Sequence, residues 1–189
     1  MNGKVFKYAC CAVLFFGMAG CANRVRLNTT AIPSSRKQPE RLFVILNAPQ
    51  AWSDDATAFT NTLSEKMQRC GTQTHVFFDA QKPETLSLND NPETARKQIL
   101  QEEASFSPDT IMSVHWISSQ SVVNGGIVDI QFSLALVWRP PVAGMSWQGS
   151  ANVPAKSLFF PGGGSGLASA IFDDLNHKGF LPQCPAPKN

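Results

Sequence analysis

Leu42-Phe43-Val44-Ile45-Leu46-Asn47 is the stretch on which the fold turns. Five consecutive apolar residues, with no polar alternation, describe a strand covered on both faces. Such strands lie inside parallel sheets, and parallel neighbours need a crossover. The next segment supplies one. Ser53 stands as an N-cap, and Asp54 and Asp55 follow in the first turn, where negative charge suits the helix dipole. Ala56, Phe59, Leu63, Met67 and Cys70 recur at helical spacing as one stripe, and Gly71 ends the helix. His75-Val76-Phe77-Phe78 is then a second strand.

The pattern continues toward the C-terminus. Asn91-Pro92 opens a second helix, with Asn at the N-cap and Pro at the first helical position. It runs to about Ser105, with Ala95, Ile99 and Phe106 inward, and Pro108 stops it. Residues 110–117 form a third strand, and Gly125-Gly126 makes a turn. Beyond it Val128, Ile130, Phe132, Leu134, Leu136 and Trp138 alternate with Asp129, Gln131, Ser133, Ala135 and Val137, the period of a half-buried antiparallel strand. Pro140-Pro141 ends it, and residues 145–153 return as a fifth strand. A final helix over 166–178 turns Leu167, Ala168, Ile171 and Leu175 inward. The order β-α-β-α-β-β-β-α predicts one α/β domain over residues 41–182. It has a single mixed five-stranded sheet in the order 2-1-3-4-5, with helices packed on it. The first three strands are parallel, joined by right-handed crossovers. Residues 183–189 are a C-terminal tail.

Composition narrows the class. The chain has 189 residues, 43% hydrophobic and 16% charged, which excludes a disordered chain and suits a single domain. A net charge of +2 gives no electrostatic case for nucleic acid.

The N-terminus is an address. Lys4 and Lys7 precede an uncharged run from Tyr8 to Gly20. Its 13 residues span about 20 Å as a helix, short of the ~30 Å hydrocarbon core. A basic head, a short apolar run and small residues define a signal peptide over residues 1–20. Met18-Ala19-Gly20-Cys21 resembles the lipobox of bacterial lipoprotein precursors, with Met18 where that family prefers leucine. The resemblance implies a diacylglyceryl group on the Cys21 sulfur, cleavage between Gly20 and Cys21, and acylation (palmitate) of the new amino group. It implies a membrane anchor at Cys21 and, because Ala22 is not aspartate, the periplasmic face of the outer membrane. Two or three chains at about 0.8 kcal/mol per buried methylene anchor stably. Residues 21–40 then read as the lipidated cysteine and a flexible tether, basic through Arg24, Arg26, Arg36 and Lys37.

Processing changes the inventory. Loss of Lys4 and Lys7 leaves 14 basic against 14 acidic side chains, and the single tyrosine goes with them. Cys10 and Cys11 leave and Cys21 is acylated, so Cys70 and Cys184 remain. An even remainder in an oxidising compartment suggests a disulfide. The topology brings both to one end of the domain, where a bond forms if the first and last helices cover the same face. The competing reading makes Cys70 a small core residue and leaves Cys184 free.

Catalytic chemistry finds no obvious home. His75, His115 and His177 are far apart in sequence, without a metal-binding spacing, and read as structural. Asp54-Asp55, Glu102-Glu103 and Asp173-Asp174 are adjacent pairs that diverge by about 100° on a helix and read as solvated faces. Gly162-Gly163-Gly164-Ser165-Gly166 opens a helix, but lacks the lysine of a phosphate loop and reads as a flexible connection. Trp52, Trp116, Trp138 and Trp147 are either core or a binding surface. No cofactor or metal is expected.

The domain is architecturally similar to small outer-membrane lipoproteins of envelope assembly, of the penicillin-binding-protein activator and polysaccharide-export accessory types. That similarity implies a non-enzymatic adaptor with an envelope protein partner. The alternative is a small-molecule or lipid carrier with an apolar pocket beside the sheet. Cys21→Ser is expected to leave an uncleaved precursor that takes up no radioactive fatty acid. Label retained in Cys21→Ser contradicts the lipobox.

Overall fold

The computed structural model describes residues 25–32, 38–81, 92–122, 127–138, 144–155, 163–182 and 184. Asn91, Gly125-Gly126 and Pro140-Pro141, expected as a helix cap, a turn and the end of a strand, lie outside them, as do residues 1–24. Among the described residues are six strands and three helices: β1 (Arg26–Ala31), β2 (Arg41–Pro49), α1 (Ser53–Arg69), β3 (Gln73–Gln81), α2 (Pro92–Phe106), β4 (Thr110–Val122), β5 (Ile127–Trp138), β6 (Gly144–Ala155) and α3 (Gly164–His177). A 3-10 turn, Gln50–Trp52, leads into α1, so Ser53 is its first residue rather than its cap.

The strand on which the fold turns behaves as its sequence dictates. Leu42, Phe43, Val44, Leu46 and Ala48 are all 0% exposed. β2 pairs in parallel with β3 on one side and β4 on the other. Successive side chains of a strand alternate faces. Leu42, Val44 and Leu46 therefore join the main core under α1 and α3, while Phe43 meets α2 on the other face, through Phe106 at 6.2 Å between ring centroids. α1 and α3 pack against each other. Their inward stripes (Ala56, Phe59, Leu63 and Met67, with Leu167, Ala168, Ile171 and Leu175) close the core. Each fully buried Leu or Met contributes about 1.5–3 kcal/mol.

The sheet has six strands, not five, in the order β1-β6-β5-β4-β2-β3. The extra strand is β1, which runs antiparallel along β6 and lies within the segment read as a flexible tether. Its inward residues are weakly apolar. Leu27 and Ala31 pack on the core, Thr29 lies between them, and Arg26, Asn28 and Thr30 are exposed. β6 is shaped to receive it. A Cβ at Gly149 would stand 2.2 Å from the Asn28 carbonyl oxygen and 2.7 Å from the Thr29 Cα. Only glycine admits this approach.

Two bulges adjust the meander. One lies at Ile117, between the pairs Trp116↔Phe132 and Ser118↔Gln131, and leaves Ile117 52% exposed. The other lies at Ser146, between Leu136↔Trp147 and Val137↔Met145. Ile130, Phe132, Leu134, Leu136 and Trp138 are all buried, whereas Val137 is 36% exposed. The alternation therefore makes a test. Phe132→Asp is expected to cost about 3–5 kcal/mol, because it removes a buried ring and introduces an unpaired charge. Gln131→Asp is expected to cost under about 1 kcal/mol. Equal losses in urea titrations would contradict the assigned faces.

Candidate functional site

Cys21 lies outside the described residues, and the chain that follows it enters the domain through β1. A polar cluster clamps that strand to α3. Thr29 Oγ1 donates to Asp174 Oδ2 at 2.7 Å, and Trp147 Nε1 donates to the same oxygen at 2.7 Å. Lys178 Nζ lies 3.1 Å from that carboxylate and donates to the Thr29 carbonyl at 2.9 Å. The Asp174 and Lys178 side chains are each only 20% exposed. Charge-assisted bonds shielded in this way are about twice as strong as neutral ones.

Cys70 and Cys184 are joined by a disulfide, with a Cα–Cα separation of 4.7 Å. The geometry meets the condition set by the sequence, since α1 and α3 cover the same face. Phe180 and Leu181, between α3 and Cys184, are buried in the core. The bond thus fastens the polypeptide after α3 to the C-terminal end of α1.

On the opposite face, α2 packs on β2 and β3 and borders a cleft of about 740 Å³. Arg41, His75, Gln98, Gln101, Glu102, Ser105 and Phe106 line it. His75 stacks on Phe43 at 5.4 Å, and its Nε2 is 2.8 Å from Glu102 Oε2. The Arg41 guanidinium lies 4.8 Å from the Phe106 ring centroid, a cation–π arrangement. Asp109 Oδ2 and Oδ1 accept the Glu40 and Arg41 amides at 2.9 and 3.2 Å, fixing the start of β2. The cleft presents hydrogen-bonding groups and one cation to solvent.

The tryptophans among the remaining candidates resolve into packing. Trp52, Trp138 and Trp147 are buried, and Trp116 is half-buried. Trp52, Trp116 and Phe132 cluster at 5.2–6.4 Å between centroids. They are core rather than binding surface. His75 meets Glu102, while His115 and His177 are exposed on β4 and at the end of α3. The carboxylate pairs are not simple solvated faces. The ~100° divergence of helical neighbours sends one member of each pair inward. Asp55 is 8% exposed and Glu103 7%, and Asp174 holds β1.

Asp55 also explains the glycine-rich loop. Its Oδ1 accepts the Gly164 amide at 3.0 Å, so the N-terminus of α3 is satisfied by a carboxylate of the chain itself. A Cβ at Gly164 would lie 1.9 Å from the Asp55 carbonyl oxygen. Glycine is needed there for helix contact rather than for flexibility.

The cross-link yields a test. It closes a separation of 114 residues, and removing such a native bond costs about 2–5 kcal/mol. Cys184→Ala is expected to lower the unfolding free energy by that amount, seen as a lower urea midpoint, and to expose residues 180–182 to proteolysis. An unchanged midpoint would contradict a structural role.

No family model matches the chain, and no curated protein matches it. Among solved structures it is similar to the PelC dodecamer from Paraburkholderia phytofirmans, at 11% identity and a TM-score of 0.45, covering 83% of this chain and 97% of that one. It is also similar to the lipoprotein GNA1162 from Neisseria meningitidis, at 18% identity and a TM-score of 0.40, covering 74% and 99% respectively. Both are likenesses of chain path and lend no argument about function.

Proposed function

We propose that the protein is a non-enzymatic, lipid-anchored adaptor of an envelope assembly machine, held by Cys21 at the periplasmic face of the outer membrane. The observation that carries the reading is the ordered signal at residues 4–21: basic head, short apolar run, Ala19-Gly20, Cys21. The domain supports it in two ways. First, the β4–β6 side that faces away from α1 and α3 carries Ser113, His115, Gln131, Ser133, Ala135, Val137, Gln148 and Ser150, all half-buried or exposed. Exposed Val137 and the bulged Ile117 add apolar area, and none of these residues is Asp, Glu, Lys or Arg, as at the charge-poor centre of a protein-docking face. Second, β1 and β3 end the sheet, and each offers an outer edge.

The carrier alternative calls for an enclosed apolar pocket. The cleft beside α2 is instead open and lined mainly by polar side chains, which favours the adaptor.

Photo-crosslinking in intact cells tests the reading. A photoreactive residue at Val137 is expected to give a discrete adduct with an envelope protein, while one at Thr57, exposed on α1, gives none. Adducts that are absent from both positions, or equal at both, would contradict an adaptor that works through the sheet face.

A further inference from the structure

The chain between the anchor and the domain is far shorter than a tether over residues 21–40 would be. β1 begins at Arg26, five residues after Cys21. Five residues reach at most about 18 Å when fully extended. The end of the domain that holds Arg26 is therefore the end nearest the lipid.

The strand register identifies that end. Arg26 pairs with Asn152 on β6, Asn152 with Gln131 on β5, and Gln131 with Ser118 on β4. Ser118 stands three residues beyond His115, whose partner on β2 is Asn47. Arg26 is thus level with the C-terminal end of β2, where Gln50–Trp52 leads into α1. The start of α3 lies at the same edge, since Gly164 is bonded to Asp55 and a Cβ at Gly166 would meet Val25 Cγ2 at 3.4 Å. The opposite edge carries the C-terminal ends of α1 and α3, the Cys70–Cys184 bond, and Arg41 and Asp109 at the starts of β2 and β4. The nine residues of β2 separate the two edges by about 30 Å.

We infer that the lipid on Cys21 holds the Arg26/Gln50/Ser165 edge at the membrane headgroups and directs the disulfide-bearing edge and the Arg41–His75 cleft into the periplasm. The inference rests on the anchoring reading above. Arg26, Gln50, Asp54 and Ser165 are exposed and polar at the near edge, as contact with headgroups requires, and the exposed apolar Ala51 and Ile117 stand beside them. A partner in the periplasm then meets the far edge or the sheet face, both of which the anchor leaves clear.

Full-length, lipidated, disulfide-bonded protein carrying a fluorophore at Gln50→Cys or at Gln68→Cys, both exposed positions, tests the orientation. The vesicles contain phosphatidylethanolamine and phosphatidylglycerol with a nitroxide quencher on the headgroup. Quenching is expected to be at least about twofold greater at position 50 than at 68, since a contact quencher discriminates over the ~30 Å between edges. A twenty-residue Gly/Ser spacer inserted after Ala22 is expected to erase the difference. Equal or reversed quenching in vesicle-bound protein without the spacer overturns the orientation while leaving the anchor intact. Failure to float with the vesicles overturns the anchoring itself, and the orientation with it.

Discussion

Asp174 is the residue on which the placement of the N-terminal chain depends. Its carboxylate takes hydrogen bonds from Thr29 on β1 and Trp147 on β6, and pairs with Lys178 just beyond α3. Three elements, β1 more than a hundred residues from the other two, meet at one charge. A partly buried carboxylate is costly unless its lone pairs are used, and here strand, sheet and helix each supply a donor. β1 buries too little apolar surface to hold the edge unaided, because its inward residues are Leu27, Thr29 and Ala31. The cluster turns the polar Thr29 from a defect into an attachment point.

That attachment separates what the sequence made legible from what it hid. β2 was readable because five consecutive apolar residues admit few alternatives. β5 was readable from its alternation, and the stripes of α1 and α3 from their 3.6 period. The same elements place Cys70 and Cys184 at one edge, which the disulfide confirms. β1 was hidden. Val25, Leu27, Thr29 and Ala31 do alternate with Arg26, Asn28 and Thr30, but only Leu27 and Val25 are large and apolar. The residues that complete the pattern, Gly149, Trp147, Asp174 and Lys178, lie more than a hundred positions away. Local periodicity cannot carry a signal stored in distant partners.

The carboxylate pairs and the glycine loop show the same limit. Read locally, Asp54-Asp55 and Asp173-Asp174 are solvated charge, and the run around Gly164 is a hinge. In three dimensions Asp55 caps the helix that Gly164 starts, and the absent Cβ lets two helices touch at their N-termini. These are rigid contacts at the edge that also receives the chain from Cys21. The tryptophans that invited a binding-surface reading lie mainly in the core, so the surface open to a partner is the quieter face of small polar side chains.

β1 in the sheet leaves only residues 22–25 between Cys21 and the first strand. Under the proposed anchoring at Cys21, a free tether would let the domain roam tens of ångströms from the bilayer, whereas a docked strand would keep it close and orient it. Amide hydrogen exchange on the full-length protein tests that placement most directly. The account predicts that the β1 amides bonded to β6, together with Ile32, whose amide donates to the Ser146 carbonyl at 2.8 Å, exchange at least ~100-fold more slowly than an unstructured chain. Exchange of residues 26–32 at the unstructured rate, with β2 still protected, would contradict it.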